Sequence, residues 1–153
     1  MIVAQELQRQ GYFVLPSYDY SGDDGNKSPR LQGDVAQYVV PDLDVSRNGK
    51  RMWVEVKTKS RPSIGRRSGK PEHGIDGRHL SHYLKVQEIT GCPVYVVVYE
   101  TATGQVLRQS ADEIAARGRR SRLGEYAMVY FIRDEMKCLF TIPAQRGMGP
   151  ADG

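Results

Sequence analysis

The sequence predicts an α/β domain with a mixed central β-sheet flanked by helices, and three stretches carry that prediction. Residues 51–59 alternate apolar and polar side chains with the period of two that a strand imposes. Residues 78–90 place Leu80, Tyr83, Leu84 and Val86 among polar neighbours at helical spacing, with Gly91 as a stop. Residues 94–99 are a dense run, Val-Tyr-Val-Val-Val-Tyr, suited to a strand buried on both faces. A strand, a helix and a strand in this order make a right-handed crossover.

The remaining elements fit around that unit. Residues 1–10 read as a short helix with Ile2, Val3 and Leu7 inward, ended by Gly11, and residues 12–15 as a strand stopped by Pro16. Residues 17–33 are polar and contain Gly22, Gly25, Pro29 and Gly33, a longer connection than compact domains usually need. They deliver the chain to residues 34–40, a second strand. The turn-rich residues 41–50 then join it as an antiparallel hairpin to residues 51–59. After the central strand, residues 60–77 form a Gly-rich basic loop. Residues 105–108 read as a strand, and Ser110-Ala111-Asp112-Glu113 is a capping box that starts a short helix ending near Gly118. Residues 126–133 and 137–142 pair as a terminal hairpin around Asp134-Glu135, and the Gly-rich residues 145–153 are a flexible tail. The expected organisation is one domain over residues 1–144.

Composition bounds the function. With 153 residues, 39% of them hydrophobic, the chain can bury an adequate core, and a net charge of +4 is compatible with a polyanionic partner. Cys92 and Cys138 lie far apart without metal-ligand spacing, which predicts reduced thiols in an intracellular, cytoplasmic protein. There is neither a secretory leader nor an apolar run of about 18 residues, so a soluble protein without a membrane span is expected.

The candidate site lies on the central strand. Met52, Val54 and Val56 share one face and Trp53, Glu55, Lys57 and Lys59 the other, so an acid and a base stand side by side on a strand whose opposite face is core. Acid-x-Lys spacing alone is weak; it recurs at Glu135-Met136-Lys137, where a turn acid and a strand-end lysine are normally solvated. The upstream partner distinguishes the first copy. If residues 41–50 close the hairpin symmetrically, residue i faces 91 − i, and Asp34 and Glu55 become diagonal neighbours about 7–8 Å apart at the backbone, near enough to clamp a cation.

Asp34 followed by Glu55-Val56-Lys57 resembles the motif of the PD-(D/E)XK nuclease superfamily, with its restriction-endonuclease-like fold, over roughly residues 2–100. The resemblance implies a metal-dependent DNA endonuclease, structure-specific or weakly sequence-specific, akin to Holliday-junction resolvases or small phage-type nucleases. It implies that Asp34, Glu55 and the Val56 carbonyl hold Mg²⁺, with Mn²⁺ able to substitute. Lys57 would position or help deprotonate the attacking water. The literal Pro41-Asp42 pair falls in the predicted turn, and Asp34 is preferred despite the Gly33 before it. Several branches of the superfamily carry an acid on the first helix, the place Glu6 takes here; the alternative is a solvated helix acid. Gln87 and Tyr83, one helical turn apart, are in position to lend side chains to the site, or to pack. His73, His79 and His82 read as exposed or capping residues rather than metal ligands.

Lys59, Arg61, Arg66, Arg67, Lys70 and Arg78 are candidate nucleic-acid contacts, because a basic loop leaving the end of the proposed site strand can grip phosphates; the alternative is a solvated surface loop. The arginines of residues 117–122 extend that face or are solvated. The expected partner is DNA, and cutting two strands would call for a homodimer. Two rivals stay open: a non-catalytic nucleic-acid-binding module on the same fold, and an interaction protein whose charged strand face is simply solvated.

Overall fold

The computed structural model describes residues 1–17, 29–121 and 127–143; the expected tail at 145–153, most of the 17–33 connection and Arg122 lie outside the described residues. In chain order the elements are α1 (Ile2–Arg9), β1 (Phe13–Pro16), β2 (Arg30–Gln32), β3 (Gln37–Val39), β4 (Leu43–Arg47), β5 (Lys50–Lys59), β6 (Ser63–Ile64), β7 (Pro71–Asp76) and α2 (Gly77–Thr90). There follow β8 (Val94–Glu100), β9 (Gln105–Ser110), α3 (Ala111–Arg117), β10 (Arg119–Arg120), β11 (Met128–Ile132), a 3-10 turn at Arg133–Glu135, and β12 (Lys137–Thr141).

A six-stranded mixed sheet, ordered β1-β4-β5-β8-β9-β12, is the centre of the molecule. Its one parallel pair is β5 with β8, joined by the crossover the sequence predicted, and its other neighbours run antiparallel. Each face carries a core. On one, Val3, Ala4 and Leu7 of α1 pack on Leu43, Val45, Val54 and Val97. On the other, Leu80 and Tyr83 of α2 and Ile114 of α3 pack on Val94, Val96 and Val98, with Trp53 at the margin. The predicted two faces of β5 are therefore both covered: Val54 looks toward α1, Trp53 toward α2.

The hairpin that positions the site is tighter than symmetric closure of residues 41–50 allows. Asn48 (φ 52°) and Gly49 (φ 75°) both adopt positive φ, the two-residue turn that matches strand twist. It sets Leu43 opposite Val54 and Arg47 opposite Lys50. An added Cβ at Gly49 meets nothing within 4 Å, so backbone strain alone decides the effect of a side chain there. Gly49→Ala is expected to cost about 1–2 kcal/mol and lower Tm by about 2–8 °C, checked by thermal denaturation; an unchanged Tm would contradict the turn.

Three predicted elements are corrected. Residues 34–40 do not join the central sheet; β3 pairs back on β2 as a separate two-stranded hairpin. Residues 128–132 and 137–141 are not a hairpin either. β11 pairs with β7 and β10 in a second sheet ordered β10-β11-β7-β6, whereas β12 pairs with β9, and the 3-10 turn carries the chain from one sheet to the other. The expected basic loop of residues 60–77 contains β6 and β7.

A buried polar cluster ties the two sheets. Glu100, 1% exposed at the end of β8, bonds His73 of β7 at 2.8 Å and Arg133 of the 3-10 turn at 2.9 Å. Burial pushes its carboxyl up, but hydrogen bonds from Arg133 and His73 outweigh that and hold it below the usual range.

Candidate active site

The two-residue turn makes Asp42, not Asp34, the partner of Glu55. The β4–β5 register ends at Leu43 opposite Val54, and one step further brings Asp42 beside Glu55 on the face covered by α2. The Asp42 amide donates to Glu55 Oε2 at 3.2 Å, and the Val56 amide donates to Asp42 Oδ2 at 2.9 Å. From the other side, Ser17 donates its amide to the Asp42 carbonyl at 2.7 Å. The backbone of Asp42 is thereby fixed on both sides, and its carboxylate is aimed back at β5.

Asp34 is elsewhere. It sits exposed in the turn between β2 and β3, where the Gly33 amide bonds the Ala36 carbonyl at 2.9 Å beside the fully exposed Val35. The reason is local: Gly33 and Asp34 are turn formers, and they fold residues 37–39 back on residues 30–32 before the chain reaches the central sheet. The signal that identifies Asp42 was present in the sequence as Pro41-Asp42 together with Asn48-Gly49, a two-residue turn that makes residue i face 97 − i.

Glu55 is 6% exposed, and Lys57, two residues along the same face, brings its Nζ to 3.5 Å from Glu55 Oε1. Burial is the main influence on Glu55. With the neighbouring Asp42 charge it pushes the carboxyl up to about 7, against Lys57, the Tyr83 hydroxyl and the Asp42 amide, which favour the ionised form. The Asp42 carboxyl is also raised, by burial, against the Val56 amide, Lys57 and His79. Two half-sequestered acids facing one lysine leave negative charge incompletely offset, a donor set suited to a hard cation on oxygen ligands. The N–H and C=O of one strand residue point the same way, so the Val56 carbonyl turns toward the Asp42 side past the end of β4. A cation held there would meet it as a third oxygen. Among the described residues no group of three or more His, Cys, Asp or Glu side chains gathers for a metal, so a cation here would take its other ligands from backbone, water or phosphate.

Helix α2 roofs this face. Its Thr90 accepts from Trp53 Nε1 at 3.1 Å, its Tyr83 bonds Glu55, and its His79 feels the charges of Lys57 and Asp42, so the helix runs antiparallel along β5. Asp76 caps it by accepting from the Arg78 and His79 amides, and Gly91 closes it in the left-handed region. Tyr83 both packs, at 1% exposure, and orients the acid. His79 was not singled out for the site by the sequence. Its Nδ1 is buried without a hydrogen-bond partner among the described residues, and burial lowers the pKa of its ring.

Two predicted participants are not brought to the pair. Gln87 accepts from the Val94 amide at 2.9 Å and donates to Asp112 at 2.8 Å, stitching α2 to β8 and α3. Glu6 lies on α1, whose apolar residues cover the opposite face of the sheet, and it bonds Arg9 at 3.0 Å and Gln10 at 3.4 Å. Of the basic candidates, Lys59 and Arg61 are exposed just past the site strand. Arg66, Arg67 and Lys70 are exposed in the 65–70 connection, closed by Gly65–Lys70 and Gly69–Gly65 backbone bonds. Arg78 is exposed on the first turn of α2. The three histidines do not gather: His73 bonds Glu100 away from His79 and His82, and His82 Nδ1 accepts the Val39 amide at 2.8 Å.

No protein-family model and no curated protein matches the sequence. Solved structures do match in fold. The Holliday junction resolvase Hjc of the archaeal hyperthermophile Archaeoglobus fulgidus superposes with a TM-score of 0.53 at 10% identity, over 87% of this chain and 84% of that one. D212, a nuclease from a fusselovirus, superposes with a TM-score of 0.50 at 14% identity, over 90% of this chain and 79% of that one. At these identities the likeness establishes the architecture: the chain has the mixed α/β fold of resolvase-type nucleases.

Proposed function

We propose that this chain is a metal-dependent DNA endonuclease, structure-specific or weakly sequence-specific, that hydrolyses phosphodiester bonds at the Asp42–Glu55–Lys57 site. The observation that carries the proposal is the convergence of two carboxylates and a lysine on one strand-end face of a resolvase-type nuclease fold. Asp42, Glu55 and the Val56 carbonyl hold Mg²⁺, or Mn²⁺ in its place. When bound, the cation stabilises charge on the scissile phosphate and lowers the pKa of a bound water. Lys57, with its Nζ 3.5 Å from Glu55, orients the attacking water and balances phosphate charge. Tyr83 fixes the Glu55 carboxylate from the α2 side, and α2 restricts solvent access to it.

A homodimer supplying two such sites is the form in which both strands of a duplex or junction are cut. One observation favours a second reading: the 3.5 Å contact between Lys57 and Glu55 also suits a non-catalytic nucleic-acid-binding module in which the lysine simply neutralises the acids. The two separate on metal. Supercoiled plasmid, linear duplex, single strand and a four-way junction, incubated with Mg²⁺, Mn²⁺ or EDTA, are expected to show cutting that EDTA abolishes, strongest on the junction. Absence of cutting on all four, with no Mg²⁺ binding by calorimetry, selects the binding module.

A further inference from the structure

Beside the carboxylate pair, the first two turns of α2 are flanked by a basic cleft assembled from three separate parts of the chain. One lobe, of about 270 Å³, is lined by Arg30 of β2, Val39 of β3 and Arg78, His79 and His82 of α2. A second, of about 260 Å³, is lined by Gly77, Arg78, Ser81, His82, Arg120 of β10 and Ala127. Arg78 and His82 line both, so the lobes adjoin, and His79 at one end feels the charges of Asp42 and Lys57.

The arginines are brought there by distinct structural choices. The β2–β3 hairpin packs on α2 through the Val39 amide and His82, and so delivers Arg30; the charges of Arg30 and Arg78 both act on His82. Of the three described arginines in the 117–122 run, Arg117 pairs with Glu113 at 3.2 Å and Arg119 with Glu72 at 3.0 Å, while Arg120 turns to the cleft. Gly77 makes room for it: a Cβ there would stand 3.3 Å from Arg120 Nη1 and 2.5 Å from the Ala127 carbonyl. The Arg78 and His79 amides are taken by the Asp76 cap, so the cleft's donors are side chains rather than a free helix terminus. His82, whose Nδ1 accepts a backbone amide, carries its ring proton on Nε2 and adds a neutral donor.

We infer that this cleft binds the DNA backbone next to the phosphate held at the carboxylate pair, with Arg30 in one lobe and Arg120 in the other each contacting a phosphate. The inference rests on the nuclease reading for its ligand, and it places the path of the strand across the α2 shoulder rather than along the 65–70 connection alone. Guanidinium groups suit phosphate because they offer paired, planar donors.

The test reads binding, not cutting. A fluorescein-labelled duplex and a four-way junction are titrated with Asp42→Asn protein in EDTA by anisotropy, at several salt concentrations. Arg30→Glu and Arg120→Glu, added singly, are each expected to raise Kd about tenfold and to flatten the salt dependence by about one phosphate contact. Arg9→Glu, on α1 and away from the cleft, is expected to stay within about twofold. Arg120→Gln, which keeps size and loses only charge, guards against an effect of folding and is expected to weaken binding several-fold with an unchanged Tm. Kd and salt slope unchanged in both glutamate variants would overturn the inference. So would chemical shifts at Arg30 and Arg120 that respond to inorganic phosphate alone while DNA binding ignores the variants. If the protein cuts nothing yet these variants lose binding, the nuclease reading fails and the cleft stands.

Discussion

Asp42→Asn is expected to reduce metal-dependent cleavage about 10³-fold or more, whereas Asp34→Asn leaves it within about twofold. The size follows from removing one of two charged cation ligands: such a ligand contributes several kcal/mol of transition-state stabilisation, and each 1.36 kcal/mol is tenfold in rate. Asparagine keeps the shape and the acceptor for the Val56 amide, so the fold is retained while the charge is lost. Asp34, exposed at a hairpin tip, has no route to the reacting phosphate. Single-turnover cleavage of the preferred substrate, with Mg²⁺ binding measured in parallel, decides the matter. A dead Asp34→Asn beside an active Asp42→Asn would return the first acid to the position that symmetric hairpin closure predicts.

The second large effect is on stability and has the opposite sign from the effect on activity. Glu55→Gln is expected to abolish cleavage while raising the Tm of the metal-free protein at pH 8 by about 2–8 °C, or about 1–3 kcal/mol. The Glu55 carboxyl titrates near 7 in the fold against an ordinary 4.5, so between these values the folded state holds more protons than the unfolded state. The contribution of Glu55 to stability therefore falls as pH rises from about 4.5, and the full cost of its buried charge is present above about 7. The variant removes that cost, so its advantage should vanish near pH 4.5 and grow toward pH 8. Mg²⁺ should reverse the order at pH 8 by stabilising the wild type alone. A Tm difference that does not change with pH would sink this account of Glu55.

Much of the architecture was legible because it is written in period and punctuation. The two faces of β5, the α2 helix with its Gly91 stop, the buried β8 run and the Ser110 cap follow from alternation, helical spacing and capping chemistry. Register was less legible. Asp34 and Asp42 are both acids upstream of the same strand, and the choice turned on reading ten residues as one loop when Asn48-Gly49 alone makes the turn and residues 43–47 are strand. Periodicity also does not say which sheet face a helix will cover. Glu6 adjoins the apolar stripe of α1 as expected, but that stripe packs on the Val54 side, away from Glu55. Gln87 shows the same limit at smaller scale, since its amide answers a backbone group at Val94 that sequence spacing does not reveal. The exchange of sheets at Arg133–Glu135 was hidden because two short strands around an acidic turn look alike whether they pair with each other or with distant partners.

The parallel pairing of β5 with β8 obliges the chain to travel from one end of the sheet to the other, and this crossover is longer than it needs to be. Such a connection requires only a dozen or so residues, yet about 34 separate Lys59 from Val94. Because closure entropy grows only with the logarithm of length, the excess costs about 1 kcal/mol. In that excess the protein builds β6 and β7, which anchor the second sheet, and most of the exposed basic residues near the carboxylate pair. The crossover, which the topology demands for closure alone, thus also carries the charge of the molecule. Charge changes at its exposed Arg66, Arg67 and Lys70 should alter the surface field far more than whether the protein folds, whereas Ile75, Leu80, Tyr83 and Val86 of the same crossover belong to the core.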